Sequence, residues 1–300
     1  VVTASRSEEK IKDVPARISI IEPQIIEQSP IAALPDLLMT DAAINMVQSG
    51  GYGQTASIFL RGTNSNQTLI LRDGVRLNSA TTGTASLPFI DTTDIQQIEV
   101  LKGPASVLYG TDAIGGVVQL VSKTPEKNSA FVTGEIGENS TYKTLVGADL
   151  AENGFYAQIR GQHLETDGTP VKDSKNAPDA AFDQTGYSAK FGVEKEKYAL
   201  SLDYSENEGN SQYDNYGAVA NQDFKNEIVN IKGRVNLAPS VEVNARVSQF
   251  KDDIDQNDLN YLGTYDFVHS TTQEAELYGK WQFTPSQNIL LGTTYQNIDG

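Results

Sequence analysis

From Ser129 to Asp299 the chain alternates apolar and polar residues. Phe155, Ala157, Ile159, Gly161 and His163 fall on one face; Tyr156, Gln158, Arg160 and Gln162 fall on the other. The pattern returns at Tyr187–Val193, Tyr198–Tyr204, Val229–Leu237, Val241–Val247, Ala275–Phe283 and Ile289–Tyr295. A period of two marks a β-strand, because successive Cβ atoms project to opposite sides of a sheet. About nine such strands fit into the stretch. Their connectors alternate between short turns, such as Glu152-Asn153-Gly154 and Glu196-Lys197, and long acidic stretches, Asp167–Phe182, Ser205–Phe224 and Asp252–Phe267. Aromatics stand near strand ends: Tyr142, Phe155, Tyr187, Tyr198, Trp281 and Tyr295. Long strands, one-sided loops and aromatic girdles favour a transmembrane antiparallel β-barrel. A soluble sandwich or barrel, with its apolar faces turned inward, is the competing reading. No run approaches the roughly 18 apolar residues of a membrane helix, but a barrel never accumulates such a run.

The first 125 residues read differently. Arg17–Glu22, Ile58–Leu60, Thr68–Leu71, Ile95–Leu101 and Val117–Val121 predict short strands. Ser29-Pro30 predicts a helix start, with Ser29 as N-cap and Pro35 within the first turns. Asp91 is placed to cap a second short helix. These features predict a small α+β domain over residues 1–125, followed by barrel strands over 126–300. The opening Val1, with no basic-plus-apolar leader, reads as a mature or trimmed start.

Composition removes several functions. With no cysteine there is no disulfide framework, thiol nucleophile or Cys-based zinc site. The two histidines, His163 and His269, lack metalloprotease spacing. A net charge of -16 argues against nucleic acid as a partner. Gly50-Gly51-Tyr52-Gly53 is followed by no GK[ST], so it is not a P-loop. No catalytic constellation stands out, so an enzyme is not expected.

Four runs then occur in order: Ile58-Phe59-Leu60-Arg61-Gly62-Thr63-Asn64, Leu71-Arg72-Asp73-Gly74-Val75-Arg76-Leu77-Asn78, Ile98-Glu99-Val100-Leu101-Lys102-Gly103-Pro104 and Tyr109-Gly110-Thr111-Asp112-Ala113-Ile114-Gly115-Gly116-Val117-Val118. Together they resemble the plug domain of TonB-dependent outer-membrane receptors. The wording at Arg61–Gln67 and Asp112–Val118 is most similar to the cobalamin-receptor branch. The resemblance implies an α+β plug inside a transmembrane antiparallel β-barrel of about 22 strands. About nine strands cannot close such a barrel, so the chain is read as the N-terminal part of a longer receptor. The same resemblance implies an active transporter in the outer membrane of a Gram-negative bacterium. Its surroundings would be outer-membrane lipid and lipopolysaccharide, and it would act as a monomer. A bulky ligand, most naturally cobalamin, would be captured outside, and TonB would supply energy from the inner membrane. A siderophore or haem receptor of the same family is the first alternative; a passive porin or adhesin barrel is the second.

Candidate site residues follow from this reading. Tyr52, Gln54, Thr55, Ser57, Asn78, Ser79 and Thr82 place neutral donors and acceptors on two glycine-bearing loops, suited to an amide-rich ligand. Val1, Val2 and Thr3 resemble the end of the segment that pairs with TonB by strand addition. Arg61, Glu99 and Lys102 are expected to lock the plug against the barrel wall. Asp179, Asp183, Glu206 and Asp214 are candidate calcium ligands in long acidic loops, with Thr185 standing where the family would carry another carboxylate. No organic cofactor is expected.

Overall fold

The computed structural model describes residue 3 and residues 17–29, 33–103, 106–170, 177–215, 218–258, 264–285 and 287–300. Two bodies of secondary structure follow one another along the chain.

The first is a plug. Its main sheet contains β1 (Arg17–Ile21), β4 (Thr68–Arg72), β5 (Val75–Arg76), β6 (Ile95–Lys102) and β7 (Gly116–Ser122), in the order β1-β6-β7-β4-β5. Only β4 and β7 run parallel; the other pairs are antiparallel. A hairpin of β2 (Ile44–Gln48) and β3 (Ala56–Leu60) forms a second sheet. Among the described residues three short α-helices complete the plug: α1 (Pro23–Glu27), α2 (Leu34–Leu38) and α3 (Ser106–Tyr109). Leu34, Leu37, Leu38, Leu60, Ile70, Leu87, Ile98 and Leu120 form its fully buried core. The barrel contributes Ile228 and Phe250 to that core.

Two helix expectations are corrected. Ser29 is not the N-cap of α2. Ala33 holds that position, its N–H donating to Asp36 Oδ2 at 3.0 Å, with Pro35 in the first turn, where its missing N–H costs nothing. Asp91 caps no helix; its Oδ1 accepts the Thr93 N–H at 2.9 Å and closes an Asx-type turn leading into β6.

The second body is a nine-stranded antiparallel sheet in strict sequence order: β8 (Ser129–Ile136), β9 (Tyr142–Glu152), β10 (Phe155–Thr166), β11 (Phe182–Glu194), β12 (Tyr198–Asn215), β13 (Ala218–Ala238), β14 (Val241–Asp258), β15 (Thr264–Thr284) and β16 (Gln287–Asp299). Asn153 and Gly154 both take positive φ, 52° and 80°, the conformation that lets a two-residue turn follow the twist of its strands.

The polarity of this sheet is the reverse of a soluble one. Ile159, Phe191, Leu202, Ile231 and Val247 are about half exposed on the convex face. Phe191, Leu202, Ile231 and Val247 are direct cross-strand partners, so the apolar band runs from strand to strand. The alternate residues Gln158, Arg160, Gln162, Lys190, Ser201, Asn230 and Arg246 are buried on the concave face against the plug. The girdle aromatics Tyr142, Phe155, Tyr187, Tyr198, Trp281 and Tyr295 are all exposed on the outer side. This disposes of the inward-packed soluble alternative.

The loop assignments need correction. Most of Ser205–Phe224 and Asp252–Phe267 is strand: β12 continues to Asn215, β13 begins at Ala218, and β14 reaches Asp258. β13 and β15 are 21 residues long, whereas about 9–11 tilted residues cross a bilayer. The excess projects beyond the membrane as a polar ribbon. Of the three long acidic stretches only the first still falls between strands, with β10 ending at Thr166 and β11 starting at Phe182.

The outward apolar band predicts a position-dependent cost. In the full-length receptor, Leu202→Arg should destabilise the folded barrel in lipid by roughly 2–4 kcal/mol, because it places a cation in hydrocarbon. Its lumen-facing neighbour changed as Ser201→Ala should cost only about 1 kcal/mol, the scale of its hydrogen bond to Asp203. Reversible unfolding in lipid vesicles measures both.

Candidate functional site

Two plug loops face the end of the barrel opposite the short turns. One, Ser49–Thr55, is closed by the Ser49 N–H to Thr55 carbonyl bond at 2.9 Å. The other, Asn78–Thr84, is closed by Ser79 N–H to Thr84 carbonyl at 2.9 Å. Beside them lies a cavity of about 170 Å³ between plug and barrel. Thr55, Ser57, Thr84 and Ser86 line it from the plug, and Gln222 and Ile254 from β13 and β14. Among the described residues, none of those lining it is charged.

The residues proposed for ligand contact divide into two groups. Thr55 and Ser57 line the cavity and keep free surface; Thr82 is exposed at the tip of the second loop. Tyr52 is half-buried and stacks on Phe182 of β11. Burial, and then the nearby Asp36 and Glu135 carboxylates, push its phenol up to about 12, so it stays a neutral donor throughout the physiological range. The rest build the site instead of lining it. Asn78 is buried; its Oδ1 accepts the Ile70 N–H at 2.8 Å, and its Nδ2 donates to the Thr68 and Gly83 carbonyls at 3.0 Å. Ser79 Oγ accepts the Thr81 N–H at 3.2 Å. Gln54 Nε2 donates across to the Gln212 carbonyl of β12 at 2.6 Å, tying the first loop to the barrel. A short amide or hydroxyl in a glycine-bearing loop serves its own turn as readily as a ligand.

Of the residues expected to lock the plug, Glu99 and Lys102 are bonded within it. Lys102 Nζ binds Asp41 Oδ1 at 3.1 Å within the plug. Glu99, fully buried, accepts the Thr3 N–H at 2.7 Å and the Gln97 amide at 2.8 Å. Arg61 sits exposed in a turn at φ 53°. The partners described for Glu99 and Lys102 thus belong to the plug and its N-terminal segment. Docking to the barrel centres on the β4–β5 hairpin. Its tip residues, Asp73 and Gly74, have φ of 48° and 89°, the positive values that a two-residue hairpin turn requires. Asn230 Nδ2 donates to the Asp73 carbonyl at 3.3 Å, and Lys232 Nζ stands 4.0 Å from the Asp73 carboxylate. Gly74 leaves room for Arg246, whose Nε would lie 3.2 Å from an added Cβ. Arg246 Nη2 binds Glu274 at 3.1 Å, and Arg76 stands 3.8 Å from the same Glu274. From β11, Lys190 Nζ donates to Ser122 Oγ of β7 at 2.9 Å. The Asp73-Gly74 pair was visible in the sequence as a turn signal; nothing there showed that the tip would meet β13 and β14.

Burial alone would raise the Asp73 carboxyl. Lys232, Lys190, Arg72 and the Ser122 N–H outweigh it and hold the group well below the usual carboxylate range.

The acidic set does not assemble in this arrangement. Asp183 pairs with Asn210 across β11–β12, Asp214 with Val219 across β12–β13, and Asp179 bridges to Pro170. Glu206 binds Lys225 at 2.9 Å. Among the described residues no group of three or more His, Asp or Glu is placed to hold a metal ion. All four stand on strand-ladder or bridge positions, and the described structure does not bring them together. Of the coupling segment, Val1 and Val2 lie outside the described residues; Thr3 rests on Glu99.

Two outcomes follow from this geometry. Asn78→Ala should cost about 1–3 kcal/mol, since it strands the buried Ile70 N–H, whereas Thr82→Ala should leave stability unchanged; hydrogen exchange at Ile70 and thermal unfolding of the full-length receptor measure the difference. Asp73 has a depressed folded pKa, so its contribution is complete above the unfolded value near about 4 and disappears as pH falls through the folded value. The difference in melting temperature between wild type and Asp73→Asn should therefore be flat from pH 5 to 8 and shrink only in more acidic buffer.

Comparison with known proteins agrees with this architecture. Residues 10–117 match the family model described as TonB-dependent receptor plug domain. The chain is 36% identical over 194 residues to the vitamin B12 transporter BtuB of Vibrio vulnificus, covering 64% of this chain and 32% of that protein. It is 34% identical over 227 residues to BtuB of Photobacterium profundum, covering 73% of this chain and 37% of that one. The chain therefore spans about a third of the length of these relatives. The fold matches the copper transporter OprC with TM-score 0.79 at 17% identity, over 95% of this chain and 46% of that one. It also matches the siderophore receptor PiuA of Acinetobacter baumannii with TM-score 0.73 at 19% identity, over 96% of this chain and 46% of that one. These relatives are transporters and receptors, not enzymes. With its plug, its outward-apolar strands and these similarities, the chain belongs to the TonB-dependent receptors of the Gram-negative outer membrane.

Proposed function

We propose that the receptor to which this chain belongs imports cobalamin into the periplasm, with TonB supplying the energy. The observation that carries the cargo is the uncharged lining of the cavity under the two plug loops, taken with the 34–36% identity to vitamin B12 transporters. A corrinoid presents amides and an extended, nearly neutral surface. Hydroxyls, backbone groups and one glutamine match such a surface by hydrogen bonding without leaving a desolvated charge behind. An anionic metal chelate calls for Arg or Lys at the same place. At about 170 Å³ the cavity is smaller than a whole-ligand pocket, so it serves as the floor on which one face of a larger ligand rests.

Coupling to TonB is read from the opposite side of the plug. Thr3 is tied to Glu99 of β6, an inner strand of the plug's main sheet, so force on the N-terminal segment is delivered directly to that sheet. The plug sits against the polar lumen wall, which argues against a passive pore.

Cyanocobalamin titrated into the purified full-length receptor should bind saturably, and ferric enterobactin should not. Uptake of labelled cyanocobalamin by cells carrying the receptor should disappear when TonB is deleted. Binding of the siderophore with no binding of the corrinoid would transfer the assignment to the siderophore alternative. Corrinoid uptake that persists without TonB would support the passive barrel.

A further inference from the structure

Four aromatic rings cross the boundary between plug and barrel in a single column. Tyr52 of the first plug loop stacks on Phe182 of β11, with centroids 6.2 Å apart and planes 14° apart. Phe182 stacks on Phe224 of β13 at 5.8 Å and 8°. Phe224 stacks on Phe89 of the plug at 4.2 Å and 5°. The order is plug, barrel, barrel, plug. Phe89, Phe182 and Phe224 are nearly inaccessible to solvent.

Backbone contacts repeat what the rings do. Ser211 Oγ of β12 donates to the Gly53 carbonyl, next to Tyr52, at 2.9 Å. Asn226 Nδ2 of β13 donates to the Phe89 carbonyl at 3.0 Å, and Asn207 Nδ2 binds the same oxygen. Glycines make room for the rings. A Cβ at Gly53 would stand 2.4 Å from Phe182 Cδ2, and one at Gly209 would stand 2.8 Å from Phe224 Cζ. Gly53 also has φ of 71°, so this notch is reserved for glycine twice over.

The two ends of the column carry the two walls of the neutral cavity. Gly53, Thr55 and Ser57 follow Tyr52 in the chain, Thr84 and Ser86 precede Phe89, and both groups line the cavity. Fixing the rings therefore fixes how far apart the walls stand. We infer that Phe182 and Phe224 are positioning residues for the ligand: two barrel side chains that need not touch it, but set the width of the plug cavity that receives it. The ligand class rests on the cobalamin reading above; the width-setting role does not.

Near-parallel rings resist sliding less than they resist separation, and each pair contributes on the scale of a tenfold change in an equilibrium. Loss of one barrel ring frees one wall while leaving the barrel ladder intact. The chain has no cysteine, so paired spin labels at Thr55→Cys and Thr84→Cys can be placed on opposite walls without removing any native thiol from it. In the full-length receptor the label-to-label distance should be narrow, and Phe224→Ala should widen or shift it. The same variant should weaken cyanocobalamin binding by about tenfold. Phe250→Ala, an equally buried barrel phenylalanine that packs on the plug core and does not line the cavity, should change neither reading. Should Phe224→Ala fail to insert, Phe224→Leu, which keeps most of the volume but not the ring plane, carries the same test. An unchanged distance distribution in the Phe224 variant, or an equal change in Phe250→Ala, would overturn the inference. A wild type that binds no cyanocobalamin would fault the cargo, and the label distances would still decide the role of the rings.

Discussion

A strand in hydrocarbon has no water to satisfy its backbone, so each N–H and C=O must find a partner on the neighbouring strand while the side chains facing lipid stay apolar. With a period of two, that requirement hands every other residue to the inner face. Those residues need not be apolar, and here they are Gln158, Arg160, Gln162, Lys190, Asn230 and Arg246. The lumen is thus polar as a direct consequence of the lipid outside. Whatever fills it must bring complementary polar groups of its own, and the plug does so with Asp73, Gly53 and Phe89, which offer a carboxylate and backbone carbonyls to the wall.

Two kinds of cohesion therefore coexist. Inside the plug, Leu34, Leu37, Leu60, Ile98 and Leu120 form an ordinary apolar core, and that core reaches the barrel through Ile228 and Phe250. Around it, plug and barrel meet mainly through charges, amides and stacked rings. The Arg246–Glu274–Arg76 arrangement shows the character of this interface: two guanidinium groups share one carboxylate on the barrel wall, with Glu276 at 3.6 Å from Arg246. Pairs like these contribute little net stability compared with apolar packing, but they are costly to break singly, because a lone buried charge remains. They define where the plug sits more than how tightly it is held.

Much of this was legible in advance, for a definite reason. Where the lipid enforces alternation, as at Phe155–His163 or Ala275–Phe283, sequence and structure agree strand by strand. Legibility stops where the enforcement stops. Above the membrane, β12 and β13 continue through Glu206–Asn215 and Ala218–Phe224 with polar residues on both faces, and the loss of alternation was mistaken for a loop. The calcium set was read as a cluster of loop carboxylates, but Asp183, Glu206 and Asp214 stand several rungs apart along the β11–β12–β13 ladder. Inside the plug, the four motifs located the strands, but they could not separate groups that face a ligand from groups that brace the loop. Asn78 and Thr82 look equivalent as neutral polar residues. Only the fold shows that one is buried under three hydrogen bonds and the other is exposed.

The contrast between the two interfaces bears on how such a plug can move. Separation from an apolar wall would expose greasy surface at roughly 25 cal/mol for each Å² uncovered, with nothing to offset it. Separation from a polar wall lets water replace each lost hydrogen bond, so a typical contact costs only about 1 kcal/mol net once solvent enters. The Asn230–Asp73 and Ser211–Gly53 contacts are of this replaceable kind. Among the described residues the apolar exceptions are localised: Ile228 and Phe250 beneath the plug core, and Leu164, Phe182 and Phe224 under the cavity. At these barrel side chains water cannot stand in for the plug. A displacement that keeps them seated is cheap, while one that unseats them is resisted.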